Sequence, residues 1–162
     1  MKLSEQWLRE WVNPPASIEQ IAERLVMGGL ELEIEPVCAE LPTGVVVGRI
    51  TAIAPHPDAE RLRVCEVATG RDVPSTIVCG AANASVGMVV PVALPGARLP
   101  GGFEIEVSRL RGVESAGMLC SASELGLAEK SDGLLELDPD ARVGTPIEQH
   151  LRLDDRVLNL EI

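Results

Sequence analysis

Thr43-Gly-Val-Val-Val-Gly-Arg-Ile-Thr-Ala-Ile53 opens a stretch written in short Val/Ile runs with glycine and proline between them. Runs of the same texture follow at Leu62–Ala68, Thr76–Cys79, Met88–Leu94 and Phe103–Leu110, and Leu134–Leu137 is a candidate sixth. Short β-branched runs bounded by turn residues read as strands. Five or six of them in succession predict a small barrel or sandwich.

Before that stretch the pattern is helical. Ser4 is placed to cap a helix, with Leu3 and Leu8 as a hydrophobic staple across its start. Trp7 and Trp11 fall four apart on one face, and Asn13-Pro14-Pro15 ends the helix because proline cannot continue the ladder. Ser17 and Gln20 form a capping-box signature for a second helix carrying Ile18, Ile21, Ala22, Leu25 and Val26, ended by Gly28-Gly29. Residues 30–35 then alternate with an acidic face. After the strand-rich stretch, Thr145-Pro146-Ile147-Glu148 predicts another helix start, capped by Thr145 with Pro146 at the first helical position and Glu148 at the third. Val157–Ile162 alternates like residues 30–35, and the chain stops within that pattern. The expected organisation is α+β and mainly β. A five-stranded barrel over 43–151 is inserted into a truncated flanking domain, formed by an N-terminal helical hairpin and strand (1–42) and a returning strand (152–162).

Composition narrows the chemistry. The 162 residues carry a formal net charge of -11, no tyrosine, and only Trp7, Trp11 and Phe103 as aromatics. So acidic a chain argues against large sequence-independent affinity for nucleic acid, which comes from Lys and Arg neutralising phosphates. The charge is unevenly spread. Residues 1–42 and 128–162 each carry -5, whereas 43–127 carries -1, with seven arginines as its only basic residues. Arginine suits bidentate contact with phosphate. Arg61/Arg63 and Arg109/Arg111 keep a period of two, which would put each pair on one side of a strand. One aromatic in the barrel is too few for a single-strand platform. Recognition of a folded RNA by shape and phosphate contact fits better.

Catalytic and metal signatures are missing. Cys38, Cys65, Cys79 and Cys120 are widely spaced, and only His56 and His150 could join them, so no zinc spacing exists. Four thiols without close pairs read as buried side chains of a reducing, cytoplasmic compartment. His56-Pro57-Asp58 reads as a turn; the alternative is a general base with an orienting carboxylate. Gly112-Val-Glu-Ser-Ala-Gly117 misses the spacing of a nucleophile elbow, and no phosphate-binding G-x-x-x-x-G-K-[ST] loop occurs. No signal peptide and no apolar run long enough to span a membrane is seen.

Four motifs in order carry a family resemblance. They are His-Pro-Asp-Ala-Glu-Arg-Leu-Arg (56–63), Ile-Val-Cys-Gly-Ala-Ala-Asn-Ala (77–84), Val-Pro-Val-Ala-Leu-Pro-Gly-Ala (90–97) and Leu-Arg-Gly-Val-Glu-Ser-Ala-Gly-Met-Leu-Cys-Ser-Ala-Ser-Glu-Leu-Gly-Leu (110–127). This set resembles the tRNA-binding OB-fold domain of several synthetases and stand-alone tRNA-binding proteins. The opening Ser4-Glu-Gln-Trp-Leu-Arg-Glu-Trp-Val12, the Met27–Glu31 turn and Leu153-Asp-Asp-Arg-Val157 are similar to the start of the bacterial phenylalanine–tRNA ligase β subunit. The resemblance implies a non-catalytic tRNA-binding module within an α2β2 enzyme. That enzyme attaches phenylalanine to its tRNA using ATP and magnesium, neither of which the fragment itself would hold. It further implies partners in tRNA, in the remaining β-subunit domains and in the α subunit. The residues expected to meet tRNA are Arg61, Arg63, Asn83, Arg109, Arg111 and Ser115. The competing expectation is an architectural module that packs against other synthetase domains without touching tRNA; an independent hydrolase is a distant third.

Overall fold

The computed structural model describes residues 1–161, so the last position of the expected strand 157–162 lies outside the described residues. The chain divides into two compact units: Met1–Ala39 together with Arg152–Ile162, and Glu40–Leu151. The architecture is mainly β, and every strand ladder is antiparallel.

The first unit contains β1 (Lys2–Ser4), α1 (Glu5–Trp11), α2 (Ile18–Met27), β2 (Glu31–Pro36) and β11 (Arg156–Glu161). Ser4 Oγ accepts the Trp7 N–H at 3.0 Å, as its capping signature requires. In α2 the box is closed on both sides, Ser17 Oγ taking the Gln20 N–H and Gln20 Oε1 taking the Ser17 N–H. β11 runs between β1 and β2, with Leu158 opposite both Leu3 and Ile34. The alternation of residues 30–35 now has its reason. Leu30, Leu32 and Ile34 pack with Ile18, Ala22, Leu158 and Leu160, while the intervening glutamates stay off that cluster. Asp155 is buried at the entry to β11; its carboxylate accepts the Ser4 hydroxyl, the Gln6 N–H and the Arg156 N–H.

The second unit is built on β3 (Thr43–His56), β4 (Ala59–Ala68), β5 (Ser75–Cys79), β6 (Val89–Leu99), β7 (Phe103–Glu104) and β10 (Met118–Leu119), ordered β10-β6-β3-β4-β5 with β7 on β6. β3 changes partner midway. Its first half pairs with β6, from Val45↔Ala93 to Arg49↔Val89, and its second half with β4. A register shift between Ile50 and Ala52 lies in that second half, where an extra residue bends the strand. β6 is buried on both faces. Val89, Ala93, Ala97 and Leu99 join one core cluster with Val47, Leu125 and Ile147; Val90 and Val92 join another with Ile50, Cys65, Val67 and Ile77. That double burial is why Met88–Leu94 reads as a continuous apolar run.

Three expectations are corrected. The run Phe103–Leu110 is not one strand: Ile105, buried, exchanges hydrogen bonds with Gly96 and Ala97, and the chain then leaves the sheet to form a separate hairpin of β8 (Ser108–Leu110) and β9 (Val113–Ser115). Leu134–Leu137 forms no strand; its N–H groups at Leu135 and Leu137 are spent on Cys120 and Val89 carbonyls without a continuous ladder. Thr145 does not cap α3 (Ile147–His150). Pro146 occupies the cap position with no side-chain bond, because the Thr145 carbonyl is engaged by the Val47 N–H of β3.

Candidate nucleic-acid interface

The hairpin β8–β9 has a two-residue loop, with Leu110 facing Val113 across it. Such a loop needs positive φ at both central residues, and Arg111 (φ 47°) and Gly112 (φ 88°) supply it. Asn-Gly is the usual solution there. An arginine at the first position accepts a left-handed backbone to put a guanidinium at the tip.

Two contacts tie this tip to the β3–β4 turn. His56 is buried, its Nδ1 accepts the Asp58 N–H at 3.0 Å, and its Nε2–H donates to the Leu110 carbonyl at 2.9 Å. Both ring nitrogens are thereby committed, which makes His56 a strut of the turn and leaves no lone pair for base catalysis. Arg111 Nη1 donates to the Asp58 carbonyl at 3.3 Å. The result is a cleft of about 510 Å³ lined by Arg61 and Arg111 with Asp58 and Glu60. Arg71, Asp72, Gly112 and Glu114 line a second cleft of about 810 Å³.

The six sequence candidates separate cleanly. Arg61, Arg109 and Arg111 are exposed, and Arg61 and Arg111 share a cleft. Arg109 stands on β8 opposite Glu114, whereas Arg111 is in the turn and not on the strand, so the expected side-by-side arrangement of these two is replaced. Arg63 donates to the Ala84 carbonyl at 2.9 Å and the Ala81 carbonyl at 2.5 Å, shaping the 80–84 turn. Asn83 bonds both ways with the Leu134 backbone, at 3.0 and 2.9 Å. Ser115 is buried, accepting the Val78 N–H and donating to the Gly117 carbonyl. These last three spend their polar atoms on backbone. Arg71 was not singled out by the sequence reading; its place beside Gly70, in the turn between two strands, is the signal that could have found it.

Charge pairing sharpens the contrast. All five ion pairs among the described residues involve Lys2, Arg9, Arg152 or Arg156, in the first unit. No arginine between 43 and 127 makes one among the described residues. Arg61, Arg71, Arg109 and Arg111 therefore keep their charge available to a polyanion.

A separate cleft of about 460 Å³ is lined by Cys79, Met118, Ser121, Ser123, Glu124 and Ser131, among others. The neighbouring Cys65 thiol holds the Cys79 thiol below its usual range; the Ala81 N–H on its sulfur at 3.4 Å and Arg63 act the same way, against burial. The same pairing and burial push Cys65 up, and burial pushes Cys120 up to about 12. Cys79 is then the most readily deprotonated of the buried three. Iodoacetamide at pH 7 is expected to alkylate Cys79 before Cys65 and Cys120, as read by peptide mass spectrometry. Equal labelling of the three would contradict this assignment.

Among the described residues there is no group of three or more His, Cys, Asp or Glu placed to hold a metal ion, and no helix is long and apolar enough to cross a membrane.

Comparison with known proteins follows this geometry. Residues 45–146 match the family described as "Putative tRNA binding domain". The whole chain is 54% identical to the phenylalanine–tRNA ligase β subunit of Methylococcus capsulatus and 52% identical to that of Dechloromonas aromatica, covering 20% of each. It thus spans about a fifth of the length of these curated relatives. Among solved structures, a MetRS related protein from Pyrococcus horikoshii overlaps 62% of this chain and 85% of its own, with 23% identity and a TM-score of 0.47.

Proposed function

Because the chain belongs to the tRNA-binding domain family through residues 45–146, we propose that it is the non-catalytic tRNA-contacting module of a bacterial phenylalanine–tRNA ligase β subunit. In this reading the parent is a cytoplasmic α2β2 enzyme that joins phenylalanine to its tRNA using ATP and magnesium. Those two act in the remainder of the ligase; this chain contributes affinity and orientation. Residues 43–151 act as an OB-like barrel, a reading supported by the Ala116 N–H bonded to the Thr76 carbonyl on β5 while Met118 pairs with Ala93 on β6. Residues 1–42 and 152–162 belong to a flanking domain of the parent.

The observation that carries the proposal is Arg111 at the hairpin tip. A left-handed arginine beside an unpaired Arg61 is a costly way to build a turn and a direct way to present charge. Arg61, Arg71, Arg109 and Arg111 contact phosphates in this reading, and Arg63, Asn83 and Ser115 hold the backbone behind them. With Asp58 and Glu60 in the same cleft, only two to four phosphate contacts form, giving affinity of roughly 10⁻⁴–10⁻⁶ M.

The test is a salt titration of tRNA binding. Arg61→Ala with Arg111→Ala should flatten the slope of log affinity against log salt by about 1.4–1.8, at roughly 0.7–0.9 per phosphate. Arg111→Asn should flatten it by about one contact. The same variant should leave the melting temperature unchanged or raise it, since asparagine suits the left-handed position better. Unchanged slopes in both variants would favour a module that only packs against neighbouring domains.

A further inference from the structure

Phe103 is the sole aromatic of the second unit, and it is 62% exposed on the two-residue strand β7. It lines a cleft of about 320 Å³ with Leu99, Pro100, Met118, Ser123 and Glu124. Met118, Ser123 and Glu124 also line the cleft that holds Cys79, so the two depressions adjoin along these three side chains. One wall is therefore apolar and aromatic, and the other is polar.

The polar wall has a definite hydrogen-bonding sense. Ser121 Oγ donates to Glu124 Oε2 at 2.9 Å, and the Ser121 N–H reaches the same oxygen at 2.6 Å. With its one hydrogen committed, Ser121 Oγ must accept from Ser123 Oγ, 3.1 Å away. Ser123 in turn must accept from Ser131 Oγ at 2.6 Å. Every hydroxyl hydrogen is used within the chain of three. Ser121 Oγ also accepts the Glu124 N–H and Ser131 Oγ the Ser123 N–H, so what these side chains leave for a ligand is acceptors alone: one lone pair each on Ser123 and Ser131, and Glu124 Oε1, which has no hydrogen-bond partner among the described residues. No arginine or lysine lines either cleft. Beside the Glu124 carboxylate an anionic group is disfavoured, and a flat ligand with adjacent N–H donors is favoured.

Among the nucleobases that pattern selects one. Guanine alone places two neighbouring donors, N1–H and the N2 amino group, on its Watson–Crick edge. Adenine and cytosine each set a ring-nitrogen acceptor beside their amino group, which a carboxylate repels, and uracil flanks N3–H with two carbonyls. We propose that this cleft binds an unpaired guanine of RNA, its face stacked on Phe103 and Met118 and its N1–H and N2–H both donated to Glu124 Oε1. The proposal rests on the reading that the chain binds tRNA and names a base-specific contact within it, separate from the phosphate contacts of the arginine tip.

The single phenylalanine makes the test direct. The 162-residue chain labelled with 4-fluorophenylalanine gives a fluorine signal from position 103 alone. GMP, IMP, AMP, CMP and UMP are titrated against it; their shared phosphate and ribose cancel in the comparison. GMP should move the resonance with at least about tenfold tighter affinity than AMP, CMP or UMP, the discrimination expected of a base contact made by two hydrogen bonds. IMP, which keeps N1–H and lacks the N2 amino group, should fall between. Glu124→Gln keeps an oxygen for Ser121 and should leave the resonance of the free protein in place, while the guanine preference drops below about threefold. A uniform response to all five nucleotides, no response, or a guanine preference that survives Glu124→Gln would overturn the proposal. Binding of tRNA that depends on Arg61 and Arg111 without guanine selectivity would sink the cleft assignment and spare the tRNA reading. Guanine selectivity with no tRNA binding would uphold the cleft and remove the tRNA reading.

Discussion

Gly117→Ala should cost the second unit about 2–4 kcal/mol, through two effects that add. Gly117 has φ of 134°, a conformation that side-chain-bearing residues avoid. An added Cβ would also stand 2.6 Å from the Ala93 carbonyl oxygen, on the backbone of the interior strand β6. That strand is packed on both faces and cannot retreat. Gly96→Ala is the matched control. Its φ is 89°, and nothing lies within 4 Å of an added Cβ, so only the backbone effect of about 1 kcal/mol applies. Thermal unfolding followed by circular dichroism should show a drop of roughly 6–12 °C for Gly117→Ala and about 3 °C for Gly96→Ala. Equal drops would mean that the approach to β6 is not the cause.

Asp155→Ala should destabilise the first unit by about 2–4 kcal/mol. The carboxylate is buried and receives three donors: the Ser4 hydroxyl that also caps α1, the Gln6 N–H in the first turn of that helix, and the Arg156 N–H at the start of β11. Alanine leaves all three without a partner at the point where both ends of the unit meet. Trp7 and Trp11, stacked edge-to-face with ring centres 6.3 Å apart, are the chain's only tryptophans and both lie on α1. Their fluorescence during urea unfolding therefore reports this unit. The midpoint should fall clearly for Asp155→Ala and less for Asp155→Asn, which retains one oxygen acceptor. A midpoint within error of the parent in Asp155→Ala would show that the three donors find water instead.

Much of the fold was legible in the sequence because its local signals act locally. The Ser17/Gln20 box and the glycine pair after Met27 bracket α2 as read. The run at Met88–Leu94 was read as a strand, and β6 covers Val89–Leu99. The errors share a cause: each is a place where a distant backbone group competed for the hydrogen bonds that the local pattern assigned. Thr145 lost its capping role to a bond with β3, and Phe103–Leu110 was divided where Ile105 turned in to pair with Gly96 and Ala97. The candidate site was half legible. Counting charge found a nearly neutral segment whose only basic residues are arginines, but spacing could not say that Arg63 would be consumed by two carbonyls while Arg61, two residues earlier, stayed free. Nor could it show that Phe103, discounted as a lone aromatic, would stand exposed beside Glu124. Those facts depend on which loops the tertiary fold brings over each strand.

The sheet of the first unit joins segments from opposite ends of the chain, with Lys2 opposite Asn159. On a ribosome, β1 and β2 therefore wait for β11 until more than a hundred intervening residues have been made. An unfolded connector of that length would oppose closure entropically. A folded second unit changes the problem, because its own two ends are clasped by the Val47 N–H to Thr145 and Gly144 N–H to Val47 bonds. The long tether then behaves as a short one. Synthesis order and topology thus impose a schedule: the inserted unit, complete within its own contiguous sequence, acts as the template that delivers the last strand to a sheet begun with the first residues.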